Sequence, residues 1–305
     1  MVRSESLPDT DEFNTFRGLA ITPASGETSK IINHIKEVLC GGNELLSEYV
    51  LNWIARMYQY PNDRGHTALV FKGEQGTGKG IILEDIIAKS WGYHGTVMSN
   101  PREIAGEFNE GLMMAIFVYV NEAAWGGNVK ENSILKSVIT DGTVRVRQMH
   151  RAPYPIDNCT HLVFSSNEDW VVPVGADDRR FVIPDVSSKY KGDTDYFNRL
   201  TAEIEEGGRE AFVYDMLNHD LKDFNPREIP DYESKTKELQ KLLGAESVAQ
   251  WLHELLDDGD VYTANPAMES PDWDADSVFF IGTDLYRSYE SFRKGARGGI
   301  TVSRR

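Results

Sequence analysis

Two kinds of hydrophobic pattern divide this chain. Between residues 29 and 60 the apolar positions recur every three or four residues: Ile31, Ile32, Ile35, Val38 and Leu39, then Leu45, Leu46, Tyr49, Val50, Trp53, Ile54 and Met57. That spacing puts them on one face of a helix. Gly41-Gly42 stops the first helix and Pro61 follows the second, so the pattern predicts a helical hairpin. Further along, apolar residues come in short unbroken runs, at residues 68–71, 115–120, 161–164 and 181–183. Such runs suit strands of a parallel sheet covered on both faces. Residues 96–98 read as one more short strand. Helical spacing recurs at residues 81–88 and 130–140, the latter through Ile134, Leu135, Val138 and Ile139, and residues 101–112 read as helical. Buried strands alternating with helices predict an α/β fold with a central parallel sheet, preceded by a small helical subdomain. That subdomain is either an oligomerisation collar or packing alone.

Residues 143–151 alternate instead. Val144 and Val146 share one face; Arg145, Arg147, Met149 and Arg151 share the other. Pro153 and Pro155 interrupt the return strand, which suits an edge hairpin. Beyond the last strand, residues 196–221 and 235–256 each read as two short helices, broken at Gly207-Gly208 and near Gly244. Residues 259–276 are acidic and loop-like. Phe279-Phe280-Ile281 and residues 285–289 then read as a strand followed by a helix.

The candidate chemistry starts where the first strand run ends. Gly73, Gln75, Gly76, Thr77, Gly78, Lys79 and Gly80 lie between that strand and the helix that opens at Ile81. Glycines let successive backbone N–H groups turn towards one anion, and the helix N-terminus adds partial positive charge. Lys79 supplies the mobile cation for terminal phosphates. Gly80 stands where a phosphate loop usually has Ser or Thr, so the hydroxyl that normally holds Mg2+ is missing. The alternative is a glycine-rich turn. The run at 115–120 ends in Asn121-Glu122, and Glu122 is the candidate general base. Asn121 and Glu122 are the candidate metal supporters, Asn121 being neutral and the weaker. Asn167 ends the run at 161–164 and can orient a water or a γ-phosphate. Arg179 and Arg180 precede the last strand; they read as an arginine finger or as a surface ion pair with Asp177 or Asp178. Arg145, Arg147, His150 and Arg151 form a stretch with no acid among them, a reader of DNA phosphates or a solvated strand face.

Composition limits the partners. The 305 residues carry a net charge of −16, so any nucleic-acid contact must be local. No apolar run approaches the ~20 residues of a membrane span, and no signal peptide opens the sequence. Cys40 and Cys159 form no pair motif, consistent with a reducing cytoplasmic setting.

Taken in order, residues 73–80, Val118 to Glu122, the segment from Lys136 to Arg151, Phe164-Ser165-Ser166-Asn167 and Asp177-Asp178-Arg179-Arg180-Phe181 resemble superfamily 3 helicases. The nearest likeness is to the helicase part of phage and plasmid primase–helicase proteins, including poxvirus-type ones, over roughly residues 12–256. The resemblance implies an AAA+ P-loop NTPase that binds ATP and Mg2+ and forms a homo-hexamer around single-stranded DNA. By position, residues 76–80 match Walker A, Asn121-Glu122 Walker B, and Asn167 sensor 1. Arg179 or Arg180 matches the trans-acting finger, and residues 143–156 match the pore hairpin. Lys136 lies in the family's segment before that hairpin and joins the DNA-binding candidates. The implied layout is a flexible arm over residues 1–26, a helical collar-like subdomain over 27–62, the AAA+ core over 63–190, a helical lid over 191–258, and an acidic linker with a partial winged-helix-like segment over 259–305. The implied function is an ATP-dependent DNA helicase or translocase in phage or plasmid replication, in a bacterial host or phage-infected cell, with a primase on a separate chain. The alternative is a nucleotide-binding DNA initiator or assembly factor that grips DNA without robust unwinding.

Overall fold

The computed structural model describes residues 15–124, 129–175, 178–243, 251–252 and 285–290. Among these residues seven strands are found: β1 (Ala68–Lys72), β2 (Gly95–Met98), β3 (Phe117–Val120), β4 (Thr143–Val146), β5 (Tyr154–Asp157), β6 (His161–Ser166) and β7 (Phe181–Val182). Five of them make one parallel sheet in the order β2-β3-β6-β1-β7. The register pairs Val70 with Phe164 and Phe164 with Val120. Strands β4 and β5 form a separate antiparallel hairpin, pairing Val144 with Ile156.

The unbroken apolar runs are explained by the layers. Successive residues of a strand face opposite sides. Leu69, Phe71, Phe117, Tyr119 and Val163 point into a core shared with the helices before and after the sheet. Ala68, Val70, Val118, Val120 and Phe164 point into a second core with Leu135, Val138, Ile139 and the hairpin's Val144. A sheet covered on both faces needs no polar side.

The helices are α1 (Ser29–His34, continuing in wider turns over Ile35–Leu39), α2 (Glu44–Gln59), α3 (wide turns over Ile81–Ala88, then α-helical over Lys89–Trp91), α4 (Arg102–Ala105), α5 (Val129–Thr140), α6 (Thr194–Glu203), α7 (Arg209–Asn218) and α8 (Lys235–Leu243). Asn43 caps α2, accepting the Leu46 N–H at 3.1 Å. The break expected at Gly207-Gly208 is there, with Gly207 at φ +101°.

Two expectations are corrected. The helix expected over 101–112 is only α4 and a turn at Glu110–Leu112. The Gly106 N–H makes the last i→i−4 bond, to the Arg102 carbonyl at 2.7 Å, and the helix stops there because Gly106 itself turns extended. Residues 15–24, expected within a flexible arm, are held against the C-terminal end of α3. The Arg17 N–H donates to His94 Nε2 at 2.9 Å, the Ala20 N–H donates to the Ser90 carbonyl at 2.8 Å, and Phe16 stacks on His94.

By compactness the chain divides into residues 1–240 and 241–305. In the second unit Trp251 Nε1 donates to Ser288 Oγ at 3.0 Å, and Trp251 meets Tyr289 edge-on. The acidic linker over 259–276 and the Phe279-Phe280-Ile281 strand expected there lie outside the described residues, as do residues 1–14 of the arm and Asp177. No described helix is long and apolar enough to cross a membrane.

Candidate functional site

Parallel strands bring their carboxyl ends to one edge of a sheet, where open α/β folds bind ligands. Here the three central strands β1, β6 and β3 end side by side. The Gly73 N–H donates to the Ser166 carbonyl at 3.0 Å, and Ser165 Oγ donates to Asn121 Oδ1 at 3.2 Å. The glycine loop, Asn121-Glu122 and Asn167 therefore converge, although each comes from a different strand.

The loop leaves β1 at Gly73 and enters the helix near Lys79. Gly76 and Gly78 both take left-handed φ, +82° and +87°. At Gly78 space also demands glycine: a Cβ there would stand 2.7 Å from His34 Cε1 and 2.8 Å from Phe197 Cε1. Gly80 is the opposite case. Its backbone is helical and nothing lies within 4 Å of a Cβ built on it, so the missing hydroxyl is not forced by crowding. Gln75 and Gly76 are exposed, Thr77 is buried, and Ile81 is half-buried at the helix entry. Lys79 Nζ donates to the carbonyls of Gly73 at 2.7 Å and Glu74 at 2.8 Å. Burial lowers its pKa, opposed by the Glu74 carboxylate. Glu74 is in turn ion-paired with Lys191.

At the end of β3, Asn121 Oδ1 accepts from Tyr119 Oη at 2.9 Å, from Ser165 Oγ and from the Glu122 N–H at 3.0 Å. The backbone donor fixes which amide atom is the oxygen. The remaining valence of Asn121 is its pair of Nδ2 hydrogens, donors where a carboxylate presents an acceptor. Glu122 is exposed and sits at φ +53°. For a residue with a Cβ, this costs on the order of 1 kcal/mol. Such strain concentrates at functional sites, and no sequence pattern signals it. Asn167 is exposed at the end of β6.

The two arginines before β7 part company. Asp178, its side chain only 3% exposed, pairs with Lys136 Nζ at 2.9 Å and Arg180 Nη1 at 3.3 Å. Burial by itself raises the Asp178 pKa, but the Lys136 hydrogen bond and the nearby cations bring it below the usual range. Arg180 and Lys136 are thus committed to an ion cluster around the buried Asp178, while Arg179 is exposed.

The hairpin keeps Val144 and Val146 inside and Arg145 outside. Its tip exposes Met149, His150 and Arg151, with His150 at φ +61°. Arg147 is half-buried. Sequence reading missed Asn109, which splints the hairpin. Its Oδ1 accepts the Arg147 N–H at 2.8 Å and its Nδ2 donates to the Arg145 carbonyl at 3.1 Å. At the hairpin base Asn158 Nδ2 donates to the Val138 carbonyl of α5 at 2.7 Å. Both are single polar residues in turns, with no periodicity to reveal them.

Among the described residues no three acidic, histidine or cysteine side chains gather as a metal site. Glu122 and Asn121 alone do not cage a cation, so Mg2+ fits here only with phosphate and water completing its shell.

Residues 71–180 match a family model described as a family of unknown function, DUF5906. That span takes in the glycine loop, Asn121-Glu122, the hairpin, Asn167 and both arginines. The chain is 30% identical over 145 residues to a DNA primase-polymerase of Nitratiruptor phage NrS-1, covering 46% of this chain and 20% of that protein. It thus spans about a fifth of the relative's length. Solved structures of the NrS-1 C-terminal region (305–718) are similar in fold. One apo structure has a TM-score of 0.61 at 22% identity, covering 79% of this chain and 57% of that one. A second, in its A form, has a TM-score of 0.58 at the same identity. The chain is therefore similar in sequence to part of a phage primase-polymerase, and most of it shares the fold of part of that phage protein's C-terminal region.

Proposed function

We propose that this chain is an ATP-dependent translocase or helicase acting on single-stranded DNA in phage replication, built on an AAA+ P-loop core of the superfamily 3 kind and assembled as a homo-hexamer. The observation that carries the reading is the convergence of the glycine loop, the strained Glu122 and Asn167 at the ends of three adjacent strands. Lys79 and the loop amides hold the phosphates. Glu122 accepts a proton from the attacking water, and Asn167 orients that water. Arg179, exposed and uncommitted to the Asp178 cluster, reaches a neighbouring subunit's γ-phosphate. Mg2+ bound with the nucleotide supplies charge neutralisation on the phosphates. The hairpin of Arg145, Arg147, His150 and Arg151 contacts the DNA backbone, while Lys136 acts from within the ion cluster. The similarity to a phage primase-polymerase supports the replication setting.

The test joins turnover to binding. ATP hydrolysis should rise when single-stranded DNA is added. In a salt titration of labelled oligonucleotide, Arg147→Ala with Arg151→Ala should bind more weakly and with a shallower salt dependence, because fewer counterions are released per complex. ATP binding should be kept. An unchanged slope would make the hairpin a solvated strand and remove the DNA reading.

Gly80 and Asn121 favour a second reading, a nucleotide-binding DNA initiator or assembly factor that turns ATP over slowly. Gly80→Ser separates the two. The position is open and helical, so the change should stabilise the fold by about 0.5 kcal/mol. On the motor reading it should also lower the Mg2+ concentration for half-maximal hydrolysis. Denaturant unfolding and a Mg2+ titration check both effects. Turnover near zero in parent and variant alike would leave the initiator reading ahead.

A further inference from the structure

We infer that Gln240 of α8 is a positioning residue for Asn167, setting where that side chain stands at the ends of the central strands. The inference rests on reading Asn167 as the group that orients the attacking water.

Asn167 leaves the sheet at the end of β6, and the chain then runs through residues 168–172 with neither helix nor strand. Such a segment must find partners for its backbone, above all where it is buried. The side chains of Val171 and Val172 are fully buried in the second core. Gln240 Oε1 accepts the N–H groups of both, from Val171 at 2.8 Å and from Val172 at 3.2 Å. Gln240 Nε2 donates to the Asp169 carbonyl at 2.5 Å. One side-chain amide thus fastens three backbone groups of the segment, and the two backbone donors fix which of its atoms is the oxygen. Gln240 is itself fully buried, which a glutamine rarely is unless its polar atoms are paired.

Asn167 lies just ahead of this clamp and is held from the other side as well. The Glu168 N–H donates to Ser166 Oγ at 2.9 Å, and the Ser166 carbonyl accepts the Gly73 N–H. Lys72 Nζ pairs with Asp169 Oδ1 at 3.0 Å, tying the same turn to the last residue of β1. The clamp is anchored in its turn. Asp185 bridges to Lys72 beyond β7, and its carboxylate accepts the Lys235 and Thr236 N–H groups that open α8, at 3.0 and 2.8 Å. Helix α8 therefore begins beside the strand that feeds the glycine loop and, at Gln240, grips the turn that carries Asn167. No sequence pattern marks this residue, because a glutamine among lysines and a glutamate reads as a solvated position.

The test is a double-mutant cycle on turnover in the full chain: parent, Asn167→Ala, Gln240→Met and the double variant, with ATP binding and thermal melts recorded for each. Methionine keeps the length of the side chain and removes its three hydrogen bonds. Asn167→Ala should lower turnover on the order of a hundredfold, the scale of one oriented polar group. Gln240→Met should lower kcat on the order of tenfold, within the hundredfold that a misplacement of about 1 Å can cost, with ATP affinity kept. In the Asn167→Ala background Gln240→Met should lower turnover no further, because the group it positions is gone. Gln240→Glu keeps an acceptor for Val171 and Val172 and should recover part of kcat; it carries the same cycle where Gln240→Met melts too low to assay. Losses that multiply in the double variant, or parental kcat in folded Gln240→Met, would overturn the positioning role and leave the motor reading intact. Parental turnover by Asn167→Ala, or no turnover by the parent, would instead remove the reading of Asn167 and this inference with it.

Discussion

Glu122→Gln is expected to bind ATP as tightly as the parent and to hydrolyse it at least about a hundredfold more slowly. The carboxamide keeps the size and exposure of the side chain and removes only its ability to take a proton. Asn121 stays in its place, because its oxygen is held by Tyr119, Ser165 and a backbone N–H rather than by the Glu122 side chain. Lys79→Ala should behave differently and lose binding, because the loop loses its mobile cation. Equilibrium binding of a labelled nucleotide alongside steady-state phosphate release separates the two. Parental turnover by Glu122→Gln would show that another group is the base.

Arg179→Ala should reduce turnover on the order of a thousandfold, the low end of what an arginine finger contributes. Arg180→Ala should chiefly cost stability, because it leaves the buried Asp178 with Lys136 as its remaining side-chain partner. If Arg179 acts across a subunit boundary, mixing Arg179→Ala subunits with Lys79→Ala subunits should restore part of the activity. Each subunit then supplies what the other lacks. No recovery at any mixing ratio, with a monomeric mass in the presence of nucleotide and DNA, would count against a ring.

The strands that build the site were legible from residue order because β1, β3 and β6 are unbroken apolar runs ending in polar residues. Their order in the sheet was not, since parallel neighbours are chosen by crossovers that no local pattern records. The helical hairpin of α1 and α2 and the break at Gly207 follow from periodicity and glycine. The failure over 101–112 came from Gly106 and from Asn109, whose side chain serves the hairpin instead of a helix. That Arg180 and not Arg179 pairs with Asp178 lay beyond sequence, because it depends on an aspartate shared with the distant Lys136. Glu122 was legible by its place after β3, but its left-handed backbone emerged only in three dimensions.

Lys79 already grips the carbonyls of Gly73 and Glu74, and Glu74 is tied to Lys191. The loop is thus shaped before any ligand arrives, and an incoming anion must displace two carbonyl dipoles from the cation before it can be held. It gains only the difference between those contacts and its own. On the proposed phosphate-loop reading that difference grows with the number of negative charges presented together, so the loop would act as a threshold device. A singly charged oxyanion would gain little from the exchange, whereas a polyphosphate would gain more.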